Sequence, residues 1–215
     1  MNAVQESHKV LYDGVSLDAN AVVPDPARGV VLFAHGSGSS RHSPRNRYVA
    51  GALQSAGLAT VLADLLTRDE EVVDVRTGSL RFDIELLTNR LVVLIDWITS
   101  FEPTAGLSVG LFGASTGAAA ALSAAALRPE TVKAIVSRGG RPDLAGDALH
   151  SIRQPTLLIV GGRDLQVLEL NRRALEKLAG KKRLEIIPGA THLFEEPGAL
   201  EQVARLARDW FVDHI

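Results

Sequence analysis

The stretch Gly113-Ala114-Ser115-Thr116-Gly117 sets one hydroxyl among small residues, behind the run SVGLFGA and ahead of an alanine-rich run. This is G-x-S-x-G spacing, which suits a strand that turns at once into a helix. Such a turn forces its middle residue into a strained backbone conformation, and the flanking glycines let the helix pass close to the strand. It pushes the serine hydroxyl clear of the surface with a helix N-terminus beneath it, where a nucleophile can act. The plain alternative is a glycine-rich crossing where a helix packs on a sheet. A dinucleotide-binding turn fits poorly. The spacing is not G-x-G-x-x-G, the turn falls in mid-chain, and AIVSRGG carries Arg138 where an acid would be needed.

A serine nucleophile needs a base, and the base needs an orienting acid. TLLIVGGRD sets Asp164 just beyond one apolar run, and LEIIPGATH sets His192 in the loop after the last one. A tetrahedral oxyanion then needs two backbone N–H donors. One is expected from Thr116. The other is expected from His35-Gly36-Ser37-Gly38, with Ser37 favoured and Gly36 or Gly38 left open. Glycine there lets the backbone approach a substrate oxygen. His35 is read as a brace for this loop, and His35 or His42 becomes the base only if His192 is not. His8, His150 and His214 are read as solvent-facing residues near turns or the terminus. No cluster has metal-ligand spacing, so no metal is expected and no cofactor is required.

The elements that must position these residues alternate regularly. KVLY and VSLDANAVV, around Asp13-Gly14, suggest an antiparallel hairpin. GVVLFAHG, LATVLADLL, SVGLFGA, VKAIVS, PTLLIVGG and KRLEIIPG read as further strands, several apolar throughout as strands buried on both faces are. Helices are expected over residues 45–56, 80–101, 116–127, 167–179 and 198–214. The polar stretch TRDEEVVDVRTGS is read as an irregular connection. This alternation predicts an α/β fold, a mostly parallel sheet of seven to eight strands with helices on both faces. Its working residues belong at the carboxyl ends of the strands.

The 215 residues fit a single domain, 1–215. A net charge of −2 favours neither nucleic acid nor an anionic membrane as partner. The absence of cysteine excludes disulfides, thiolate metal sites and a cysteine nucleophile. MNAVQESHKV lacks the apolar core of a signal peptide, and no apolar run is long enough to span a bilayer. A cytoplasmic location is the expectation.

FAHGSGSSRHSPRN, GLFGASTGAAAAL, VSRGGRPDLAG, PTLLIVGGRD and GATHLFEEPGALEQVA together carry a resemblance. The chain resembles the α/β-hydrolases, and among them the dienelactone-hydrolase-related proteins, some of which are joined to a phosphoribosyltransferase domain. The order Ser, Asp, His is the order of that fold. The resemblance implies Ser115 as nucleophile, Asp164 as acid and His192 as base, and a phosphoribosyltransferase as a possible partner. One departure stands out: dienelactone hydrolases proper use cysteine where this chain has Ser115. Ordinary ester or thioester hydrolysis is therefore expected in place of dienelactone hydrolysis. The alternative is a non-catalytic or regulatory module that binds a ligand or partner on a hydrolase fold. Only a short connection, residues 138–154, separates VKAIVS from PTLLIV, so no large cap is expected. Any partial cover would come from TRDEEVVDVRTGSLRFD. Arginines near the predicted site allow two readings. Arg41 and Arg138 could bind an anionic substrate, because guanidinium forks suit carboxylates and phosphates. Alternatively, these arginines are surface charges or partners for Asp64, Asp143 and Glu195.

Overall fold

Two long strands open the chain in the computed structural model, which describes residues 3–215. β1 (Ala3–Tyr12) and β2 (Val15–Pro24) pair antiparallel, and their turn is closed by Asp13 (φ 46°) and Gly14 (φ 74°). Two positive φ values in a two-residue loop match the right-handed twist of a hairpin. β3 (Gly29–Ala34), β4 (Leu58–Ala63), β5 (Val109–Ala114), β6 (Val132–Arg138), β7 (Thr156–Gly161) and β8 (Lys182–Ile187) run parallel to one another. β2 joins them antiparallel through β4, and the spatial order is β1-β2-β4-β3-β5-β6-β7-β8. Every residue of β3, β4, β5 and β7 is buried, which is why these runs are apolar without alternation.

Helices cover both faces. α1 (Pro44–Ser55) and α6 (Ala199–His214) close one face over Phe33, Phe112 and Val136, with Phe211 of α6 in the same cluster. α3 (Ile84–Ser100), α4 (Thr116–Leu127) and α5 (Leu165–Lys177) close the other. α4 is buried around most of its circumference, and its alanines let it pass between sheet and neighbours. The connection from β6 to β7 holds only 3-10 turns over Pro142–Ser151, bent at Gly146, so no cap domain rises from it. No helix among the described residues is long and apolar enough to cross a membrane.

Three expectations are corrected, the last being the solvent-facing reading of His8. The stretch read as irregular contains a ten-residue helix, α2 (Arg68–Thr77). Thr67 accepts from the Glu70 N–H, the Glu70 carboxylate accepts from the Thr67 N–H, and Gly78 ends the helix at φ 67°. This reciprocal cap satisfies two amide donors at the helix start. Arg90 of α3 then fastens the first turn, donating to both Glu70 oxygens and to the Leu65 carbonyl. The predicted start of α3 at Leu80 is a 3-10 turn, Leu80–Phe82, and Asp83 caps the helix proper by accepting from the Leu86 N–H. His8 lies in the middle of β1 and packs on Trp97 and Phe101, with ring centroids 5.3 and 4.7 Å away.

Candidate active site

Ser115 joins β5 to α4 at φ 51°, ψ −124°, a backbone conformation that costs a non-glycine residue about 1–3 kcal/mol. Its surroundings hold it there. Its N–H donates to the Arg138 carbonyl at 3.3 Å, and its carbonyl accepts from Ala118 and Arg141 at 3.1 and 3.0 Å. The adjoining loops press close. A Cβ on Gly36 would stand 2.8 Å from Ser115 Cβ, and one on Gly117 would stand 2.4 Å from the Ala34 carbonyl oxygen. Only glycine fits at either position. The Ser115 hydroxyl caps no helix N–H and stays partly exposed.

Asp164 follows β7 and occupies the cap position of α5, yet its carboxylate makes no cap hydrogen bond. Its Oδ2 instead accepts from His192 Nδ1 at 2.7 Å. In a neutral imidazole that bond places the proton on Nδ1 and the lone pair on Nε2. Asp164 is largely buried and His192 is 40% exposed, so the imidazole stands at the surface on a covered acid. The loop that carries His192 is fixed by Glu196, which accepts from the Thr191 N–H at 3.1 Å, and by a turn at Phe194 (φ 56°). The His192 ring lies against Gly139, the residue after the Arg138 carbonyl that receives the Ser115 N–H. The Ser115 turn, an elbow between β5 and α4, and the His192 loop thus both lie against the end of β6.

The loop after β3 completes the arrangement. His35 is buried and bonded through both ring nitrogens. Nδ1 donates to the Gly36 carbonyl at 3.0 Å and Nε2 accepts from the Leu65 N–H at 2.9 Å. Burial holds its pKa below the ordinary imidazole value despite the Gly36 bond and nearby Asp64, so it is neutral. These bonds fit the bracing role and leave no nitrogen for a nucleophile. Ser37 Oγ lies 3.1 Å from Thr116 Oγ1. Thr116 opens α4, so its amide has no carbonyl to meet within the helix.

A cavity of about 230 Å³ opens on the Ser37–Thr116 side of the elbow. Leu66, Val75 and Leu87 give it an apolar lining, while Glu71, Asp74 and Arg81 give it a polar wall. These three polar residues were not singled out in the sequence. The capping pattern Thr67-x-x-Glu70 was the available signal for the helix that carries the two acids. The segment expected to give partial cover supplies this wall.

The arginines go elsewhere. Arg41 donates its backbone N–H to Asp64 at 2.6 Å, pairs through its guanidinium with the same carboxylate, and stands 3.6 Å from Asp18. Arg45 meets Glu195 at 3.5 Å, and Arg141 meets Asp143 at 2.8 Å. Arg138 is 7% exposed, donates to Asn46 Oδ1 at 3.2 Å and lies under the Phe194 ring. Burial, with the charge of Arg45 beside it, pushes its pKa down to about 10. Neither Arg41 nor Arg138 lines the cavity beside the elbow. Among the described residues no group of three His, Cys, Asp or Glu side chains is placed to hold a metal ion.

Comparison with known proteins accords with this fold. A structure of a dienelactone hydrolase from Anabaena variabilis is 60% identical, superposes with a TM-score of 0.96, and is covered over 99% of both chains. An α/β serine hydrolase without lid from Xanthomonas campestris shares the fold at a TM-score of 0.74 and 20% identity, with 95% of this chain and 92% of that one covered. Two Mycobacterium tuberculosis proteins with a provisional phosphoribosyl transferase name are 59% identical over 210 residues, 98% of this chain. The chain spans about half the length of these curated relatives, 46%. The model of the dienelactone hydrolase family matches residues 17–211, and the chain belongs to that family.

Proposed function

We propose that this hydrolase-family protein cleaves small carboxylic esters through an acyl-enzyme, working in the cytoplasm without a cofactor. Ser115 attacks the carbonyl carbon while His192 Nε2 takes its proton. Asp164 holds the imidazole and stabilises the imidazolium that forms. The amides of Ser37 and Thr116 receive the developing oxyanion, His192 returns the proton to the leaving alcohol, and water then releases the acid. The observation that carries this reading is Ser115 itself. A non-glycine residue at φ 51° bears the cost of strain, and its hydroxyl caps nothing. Strain of this kind persists where the surroundings hold it for use.

A fluorophosphonate probe tests the reading. Covalent labelling of the wild type and none of Ser115→Ala is the expected result. An unlabelled wild type overturns it.

The length of the Mycobacterium relatives favours a second reading. On that reading this chain serves as a ligand-sensing partner of a phosphoribosyltransferase unit and carries no turnover of its own. An unlabelled wild type that still binds ester analogues would support it.

A further inference from the structure

The cavity beside the elbow has one carboxylate that is not spent on a guanidinium. Asp74 is taken by Arg81, which donates its backbone N–H at 3.0 Å and its Nε at 2.6 Å. Glu70, on the far side of α2, is taken by Arg90. Asp64 is taken by Arg41. Among the described residues Glu71 alone faces the cavity without an ion-pair partner, and it also lines the adjoining depression that holds Asp18, Arg41 and Asp64. Arg41 and Arg68 also line that depression against Asp18, Asp64 and Glu71, and Arg41 already answers two acids. The local balance is negative. Burial and the Asp64 charge, with Asp74 adding to them against Arg41, raise the Glu71 pKa, as expected for a carboxylate held among acids.

Apolar and acidic walls in one cavity describe a ligand. Leu66, Val75 and Leu87 suit a short carbon chain. An unpaired carboxylate at the wall repels a second carboxylate and accepts a hydrogen bond from a donor. We propose that this cavity receives the part of the substrate beside the scissile ester, and that Glu71 selects a part carrying a hydroxyl or ammonium donor over one carrying a carboxylate. The proposal rests on the esterase reading above, and it makes Glu71 the residue that sets specificity. It reverses the expectation of an anionic substrate, because the arginines that prompted it are turned to Asp64 and Asn46.

Four acetate esters of similar length separate the possibilities: butyl acetate, hydroxybutyl acetate, dimethylaminopropyl acetate as its ammonium, and acetoxybutanoate. Acetate release is followed in the wild type, Glu71→Gln and Glu71→Lys. In the wild type kcat/KM for the ammonium ester should exceed that for acetoxybutanoate by about tenfold or more, the size of one good charge-assisted contact. The ratio should fall below about threefold in Glu71→Gln, and Glu71→Lys should invert it. A wild type that prefers the carboxylate, or a ratio equal in all three proteins, overturns the proposal. If no ester is cleaved, the esterase reading fails separately. Calorimetric binding of butylammonium and butanoate then still decides on Glu71. Tighter butylammonium binding that is lost in Glu71→Gln supports the assignment, and equal binding of the two ions ends it.

Discussion

Ser37 Oγ and Thr116 Oγ1 stand 3.1 Å apart, so one hydroxyl pair ties the loop after β3 to the first residue of α4. The two amides proposed to receive the oxyanion belong to these same residues, and the tie sets their separation. Ser37→Ala and Thr116→Val should each lower kcat by about three- to tenfold, the worth of one hydrogen bond. The double variant should be no worse than the poorer single one, since either change already breaks the bond. Additive losses in kcat would show that the hydroxyls act separately.

His192→Ala should reduce nitrophenyl ester turnover by several orders of magnitude. Asp164→Asn should cost less, because the base itself remains, but still heavily, because its amide can present an N–H to Nδ1 and favour the wrong tautomer. His192→Ala removes the bond between the two residues, 2.7 Å from Nδ1 to Oδ2, and Asp164→Asn can reverse its direction. A fully active His192→Ala would move the role of base to His42, since both nitrogens of His35 are engaged.

Gly36→Ala brings a methyl group to 2.8 Å from Ser115 Cβ and 3.0 Å from the Ala114 carbonyl oxygen. Both neighbours are fixed by the elbow, so the loop must move. A loss of about 1–3 kcal/mol in denaturant-measured stability is expected, as for other overpacked sites. Probe labelling of Ser115 should slow as well. Unchanged stability and labelling would show that the loop yields freely.

His35 gives the fold a pH dependence. Its folded-state pKa lies below the ordinary value of about 6.5, so the unfolded chain binds the proton more readily. The contribution to stability is complete above that value and is lost as the pH falls from it toward the folded-state pKa. The slope can approach about 1.4 kcal/mol per pH unit. Denaturation midpoints across mildly acid pH should show it, and His35→Gln should flatten it. A midpoint in the wild type that does not move over this range would contradict the assignment.

Much of this is written in local sequence. The central strands are apolar at every position because both faces are covered, so their runs stand out. The Asp13–Gly14 turn and the Thr116–Leu127 helix are set by neighbouring residues alone. The contact of Asp164 with His192 follows once each is placed at a strand end. Other features are tertiary. α2 has a single buried residue, Asp74, so no apolar stripe marks it. Arg45 finds Glu195 across 150 positions, and Arg138 finds Asn46 across 92. Arg138 closes β6, so its side chain follows the pleat; Ser137 lies toward α4 and Arg138 away from it, against α1. That parity depends on the exact strand end, which composition does not mark.

The cavity wall on α2 has an evolutionary consequence. The elbow and α4 are closely packed, and a methyl group added at Gly36, Gly113 or Gly117 is too much. α2 lies outside that packing, fastened by Arg90 at one end and by the Asp74–Arg81 pair at the other. Its remaining surface is free to vary at small cost in stability. Descendants of this chain can therefore diversify in diet while inheriting the same engine. A library randomised at Glu71, Val72 and Val75 alone should yield variants of altered substrate range whose melting temperatures cluster around that of the parent.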